Sequence, residues 1–255
     1  MTEIIVSIAV LLFLLQAIAG PLLVRLGVYA RNRPEIVPID PGRIPQPVAD
    51  TMLGYCRGLE HIGFAVIGFF DLPDFMPNAH TTFALFLNDG DKTWAIVAAV
   101  QSKVAGTCYM EFCTEFRDAT ELCTNNSKEL QGFVKTPGKS MFQFPAVSDA
   151  SLLYQAHTYL RNAHFGNRTV ALNGVGEEVK YLETALTKDL VKQAELGYYY
   201  LNRSGTKFRP TLKGAALMTW RLMWPIGTIR KILQRHAARG ILKEVIHRTG
   251  GQGSQ

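Results

Sequence analysis

The sequence predicts an α+β protein: an N-terminal transmembrane helix, then an antiparallel sheet of about five or six strands with flanking helices, and a basic amphipathic C-terminal helical tail. Three observations carry this. Ile4 to Val24 is a run of 21 residues without a charged side chain. Residues 64–117 are successive apolar runs divided by turn residues. Residues 226–247 combine helically spaced apolar residues with a row of cations.

At 1.5 Å rise per residue, the uncharged run reaches about 31 Å, close to the hydrocarbon thickness of a bilayer. Its leader, Met1-Thr2-Glu3, lacks the basic residues of a signal peptide, although Ala17-Ile18-Ala19 mimics a small-residue cleavage site. Arg25, Arg31 and Arg33 follow the run. The positive-inside rule therefore places the N-terminus outside and the body of the chain in the cytoplasm. Residues 1–30 read as the anchor and residues 31–47 as a linker. Pro34, Pro38, Pro41, Pro45 and Pro47 stiffen that linker into an extended spacer that lifts the body off the bilayer.

Residues 48–165 read as the sheet domain. A short helix, Val48 to Ile62, places Met52, Tyr55, Cys56 and Leu59 at helical spacing, with Cys56 read as a core thiol. Strands are expected at Phe64–Leu72, Thr81–Leu87 and Thr93–Gln101. The last two flank an Asn88-Asp89-Gly90-Asp91 hairpin turn. Both faces of this pair are apolar, as in strands covered on both sides. Thr107–Arg117 alternates: Cys108, Met110, Phe112 and Phe116 point one way, and Tyr109, Glu111, Cys113, Glu115 and Arg117 the other. Thr120–Thr124, after a turn at Asp118-Ala119, and Phe133 with Met141–Phe144 complete the sheet. A helix then runs from Ser148 to His164, capped by Ser148 or Asp149.

In residues 166–210, a helix over Glu177–Leu196 carries the stripe Val179, Leu182, Leu186, Leu190 and Val191. It stops at Gly197 and is followed by a hairpin around Arg203-Ser204-Gly205. This helix–wing–helix order resembles the end of winged-helix regulators. The helix that would enter a groove is net acidic, however, and phosphate repels it.

Residues 211–255 form the tail, split at Pro225 into two helices. In the second, Ile229, Leu233, Ala237, Leu242 and Val245 share one face, with cations on the other. From Arg203 onward there are eleven basic residues against one acidic, Glu244, while the remainder has 16 against 20. A basic tail on a mildly acidic body points to a polyanion. Trp220 and Trp224 suit the headgroup region, and each nearby cation adds about 1 kcal/mol of attraction to an anionic leaflet. The residues expected to contact membrane are therefore Trp220, Trp224, Arg221, Arg230, Lys231, Arg235, Arg239 and Lys243. The expected partner is the anionic inner leaflet, with a protein partner also open and nucleic acid disfavoured.

No catalytic, cofactor or metal site is assigned. Glu111, Cys113 and Glu115 read as a solvated strand face, and His157 and His164 are too far apart for a one-turn metal pair. Cys56, Cys108, Cys113 and Cys123 lack zinc-knuckle spacing, and a cytoplasmic body keeps them as thiols.

The pieces "PNAHTTFALFLN", "ELCTNNSKEL", "FQFP" and "RPTLKGAALMTWRLMWP" resemble those of a group of bacterial single-span membrane-anchored proteins. The resemblance implies one span, a cytoplasmic α+β domain, and no assigned activity. The expectation is a membrane-held binding or scaffolding module, against a tethered winged-helix DNA-binding regulator or an enzyme on a membrane-proximal substrate.

Overall fold

The computed structural model describes residues 2–44, 46, 48–102, 106–129, 134–171 and 176–250. The chain opens with α1 (Thr2–Gly27), which contains the whole uncharged run and carries Pro21 near its end. Its one long apolar stretch makes it long and apolar enough to cross a membrane, and almost none of it is buried by the rest of the chain.

The proline-rich segment runs extended through Val37–Pro38 and then turns in a short 3-10 helix at Pro41–Arg43, so it is not a free spacer. Its start, β1 (Ala30–Arg31), and β2 (Val37–Pro38) each pair with a strand of the body. Ile36 and Ile44 are buried along the way, and Glu183 accepts a hydrogen bond from the Ile36 amide at 3.1 Å. Extended peptide next to an open sheet edge gains ladder hydrogen bonds, so stiffness here leads to docking and not to distance.

After α2 (Val48–His61) come β3 (Ala65–Met76), β4 (Ala79–Asn88), β5 (Thr93–Ser102), β6 (Gly106–Phe116), β7 (Glu121–Asn125) and β8 (Lys139–Gln143). The strands follow in spatial order β2-β3-β4-β5-β6-β7-β8, and β9 (Val170–Ala171) pairs with the end of β6. Among the described residues the large sheet has eight strands, more than the five or six expected. The two additions, β2 and β9, are two-residue strands with no apolar alternation to announce them. Pairing is antiparallel except for β7 with β8, which run parallel. The expectation of an antiparallel sheet therefore holds for every pairing but this one. The expected strand contribution of Phe133 lies outside the described residues.

The remaining elements are α3 (Ala150–Phe165), α4 (Glu178–Glu195), β10 (Tyr199–Leu201), β11 (Lys207–Pro210), α5 (Leu212–Leu222) and α6 (Ile226–Gly250). Asp149 caps α3 by accepting from the Leu152 amide at 2.7 Å, and Thr211 caps α5 through the Gly214 amide at 3.0 Å.

The sheet is covered on both faces. On one, Ala84, Phe86, Val97, Met110, Phe112 and Phe116 pack with Met52, Leu59, Leu153 and Leu160 of α2 and α3, and with Ala238 and Val245 of α6. On the other, Phe70, Phe83, Leu85, Trp94 and Ala98 meet Val179, Leu182 and Leu186 of α4. This is why β4 and β5 are apolar on both sides. The alternation of β6 is as expected, but its polar side is not a solvated face: it lies beneath α4. Val191 of the predicted α4 stripe points outward, 40% exposed. A second sheet, β1-β11-β10, joins the exit of α1 to the hairpin before α5.

Candidate functional site

The tail is built around a close approach between α5 and α1. Ala17, Gly20, Pro21 and Val24 fall at i, i+3, i+4 and i+7, and this is the part-buried strip of α1. Small residues there let a neighbouring backbone come near. A Cβ on Gly20 would sit 2.5 Å from Thr219 Cγ2. The Trp220 indole N–H donates to the Ala17 carbonyl at 3.2 Å, and Arg209 Nη1 donates to the Leu26 carbonyl at 3.4 Å. Later residues of α5 meet earlier residues of α1, so the helix runs back alongside the uncharged run.

The eight predicted contact residues divide into three places. Trp220, Arg221, Trp224 and Arg230 gather at the α5–α6 corner. Trp224 is 71% exposed there, while Arg221 and Arg230 are half-buried. Arg230 Nη1 donates to the Arg221 carbonyl at 3.2 Å, a cation placed at the end of α5 where the helix dipole favours it. Arg235 and Arg239 join Lys128 around a groove of about 390 Å³ whose wall is Phe144, Pro145, Ala146, Ala238 and Leu242. Lys231 and Lys243 are exposed elsewhere along α6.

The faces of α6 also depart from the sequence reading. The buried side is Arg230, Gln234, Ala238, Ile241, Leu242 and Val245, whereas Ile229 and Leu233 are 52% and 64% exposed. From Gln234 onward the helix rests on the sheet domain, beginning with the Gln234 Nε2 donation to Gln143 Oε1 at 2.6 Å. There Tyr159 of α3 donates its hydroxyl to Glu244, and Arg248 lies over the Tyr159 ring. The turns before Gln234 carry their apolar residues free, and with Leu222, Trp224, Ile226 and Ile232 they form an exposed apolar corner.

Beneath α4 lies a second cluster. Phe116 N donates to Thr120 O and Asn126 N to Met110 O, so even-numbered β6–β7 pairs carry the hydrogen bonds. The odd pairs, Glu111–Asn125, Cys113–Cys123 and Glu115–Glu121, are the closer non-bonded kind, with side chains facing α4. Asn125 Nδ2 donates to Glu111 Oε2 at 2.8 Å, Cys113 Sγ to Glu111 Oε1 at 3.5 Å, and Cys123 Sγ to Glu121 Oε1 at 3.0 Å. Lys139 bridges Glu121 and Asp189 at 3.3 and 2.8 Å, and Tyr181 O–H donates to Glu115 at 2.5 Å.

Burial holds the Glu111 carboxyl above its ordinary range, against the pull of Lys139 and Asn125. A hydrogen bond with Cys123 favours the Cys113 thiolate, yet burial and the charges of Glu111 and Glu121 push Cys113 up to about 12. Burial, and then the bond to Cys113, raise Cys123 as well. Protonated thiols are poor nucleophiles, so covalent catalysis is not what this arrangement favours. Sequence reasoning placed Glu111 and Cys113 on one face but missed Cys123. The signal was present: the two cysteines lie five residues either side of Asp118, the turn residue.

In the core on the opposite face, His157 is fully buried. Its Nε2 lies 2.8 Å from Thr114 Oγ1 and its Nδ1 3.0 Å from Thr124 Oγ1. Burial and the charge of Arg161 lower its pKa to about 3, so the ring is neutral and structural. The apolar stripe of α4 packs on the sheet, and the β10–β11 hairpin has β1 along its edge.

No family model matches the chain, and no curated protein or solved structure matches it.

Proposed function

We propose that this chain is a single-span membrane protein whose body faces the cytoplasm and acts as a binding or scaffolding module, with the helical tail in contact with the anionic inner leaflet. One observation carries the reading: α5 packs along the small-residue strip of α1, with Trp220 bonded to the Ala17 carbonyl. That contact brings Trp220 of α5 alongside the apolar run of α1, and the exposed Trp224, Ile226, Ile229, Ile232 and Leu233 follow it in the chain. A leader removed by cleavage would leave this strip of α5 without its partner. Arg221 and Arg230, set among these apolar side chains, have long stems that reach toward headgroups. Exposed Lys231 adds attraction for anionic lipid. The groove of Lys128, Arg235 and Arg239 over apolar walls suits a negatively charged ligand or partner segment.

The test is tryptophan quenching of the full chain in nanodiscs that contain acyl-brominated lipid. The expected result is strong quenching in the wild type that is lost in the Trp220→Phe/Trp224→Phe double variant, which leaves only buried Trp94. Equal quenching in both proteins refutes the tail's contact with lipid.

A further inference from the structure

We infer that Glu111, Cys113 and Cys123 form a site for a borderline-soft divalent cation, zinc above all, held between β6 and β7 beneath α4. One ligand atom from each residue lies within 4.8 Å of the others. Zinc–sulfur bonds of about 2.3 Å and zinc–oxygen bonds of about 2.0–2.2 Å set the ligands of one ion about 3.3–3.8 Å apart, so small side-chain rotations close the site. Two sulfurs with one carboxylate select zinc over magnesium or calcium, which take oxygen ligands.

The surroundings match a metal site. Glu111 and Cys113 are half-buried and Cys123 fully buried, so the ion would be shielded from water on the sheet side. No cation lies within ion-pair distance of Glu111 among the described residues, because Lys139 is taken up by Glu121 and Asp189. Asn125 fixes the Glu111 carboxylate through its amide, as an outer-shell residue does. The Glu121 carboxylate accepts from Cys123 Sγ at 3.0 Å beside the cluster. Binding replaces the two thiol protons, which pass to solvent. The other two cysteines, buried Cys56 and half-buried Cys108, lie on the opposite face of the sheet and belong to no such ligand group among the described residues.

The experiment uses the full chain in detergent under reductant, loaded with zinc and separately with cobalt(II). The expected result is about one zinc per chain and the charge-transfer and visible bands of tetrahedral thiolate–cobalt. Both are lost in Cys113→Ser/Cys123→Ser and retained in Cys56→Ser/Cys108→Ser. Glu111→Gln keeps both thiols and the volume, so its shifted cobalt spectrum reports the carboxylate even if the double variant misfolds. Asn125→Leu is expected to weaken affinity about 10- to 100-fold. The proposal is overturned if loaded wild type holds no metal or if the double variant holds as much. A Cys113–Cys123 disulfide trapped directly from cells also overturns it. None of these outcomes depends on whether the tail touches lipid.

Discussion

A single histidine sets the acid sensitivity of the core. His157 joins Thr114 and Thr124 across two strands, and Thr114 continues to Thr93 and from there to Arg161 and Asp91. The chain of bonds satisfies every buried polar atom on that path, which is why a polar group survives among Phe112, Phe116 and Leu160. The unfolded chain takes up a proton on this ring near pH 6.5, whereas the native ring resists until about 3. The folded pKa is depressed, and for a base this means stability is complete above 6.5 and is lost as pH falls toward 3. The loss is on the order of 4–5 kcal/mol across that window. Melting temperatures measured from pH 7 to 4 should fall steeply in the wild type. They should fall less in His157→Gln, which starts less stable but has no ring to protonate.

The joint between α1 and α5 is the feature at the scale of elements on which the proposed function rests. The Cβ built on Gly20 lies 3.7 Å from Thr219 Cβ, within the range that a disulfide spans. A Gly20→Cys/Thr219→Cys protein should therefore cross-link within one chain under mild oxidation, read as a mobility shift reversed by reductant. A second joint is tighter. A Cβ on Gly214 would fall 2.0 Å from the Tyr198 carbonyl oxygen, so α5 can leave the β10–β11 hairpin at this angle only because that residue has no side chain. Failure of the engineered pair to cross-link would mean that α5 does not rest on α1, and the membrane reading of the tail would go with it.

At the scale of the molecule, the membrane reading makes a statement about sidedness. Ser204 lies exposed in the turn between β10 and β11. A Ser204→Cys variant should react with a membrane-impermeant maleimide in inverted vesicles and not in intact cells, with the wild type as the background control. Labelling in intact cells would put the body outside. The thiols beneath α4 would then face an oxidising compartment.

Much of this protein was legible in its residues because the relevant physics is local. An uncharged run long enough for a bilayer, an Asp-Gly turn between apolar strands, Asp149 and Thr211 at helix starts, and the alternation of β6 each follow from neighbours a few positions apart. The sequence therefore determined the N-terminal apolar helix, six strands of the sheet and the order of the helices. Tertiary structure decided what depends on residues far apart in the chain. It laid the proline segment on two sheet edges, made β8 parallel, turned the α6 face by which part of it meets the domain, and covered the polar side of β6 with α4. Cys123 joined Glu111 and Cys113 by hairpin register, and α5 found α1 across nearly two hundred residues. Backbone propensities and side-chain spacing do not encode such pairings; they are settled by which surfaces are left to be covered once the local elements have formed.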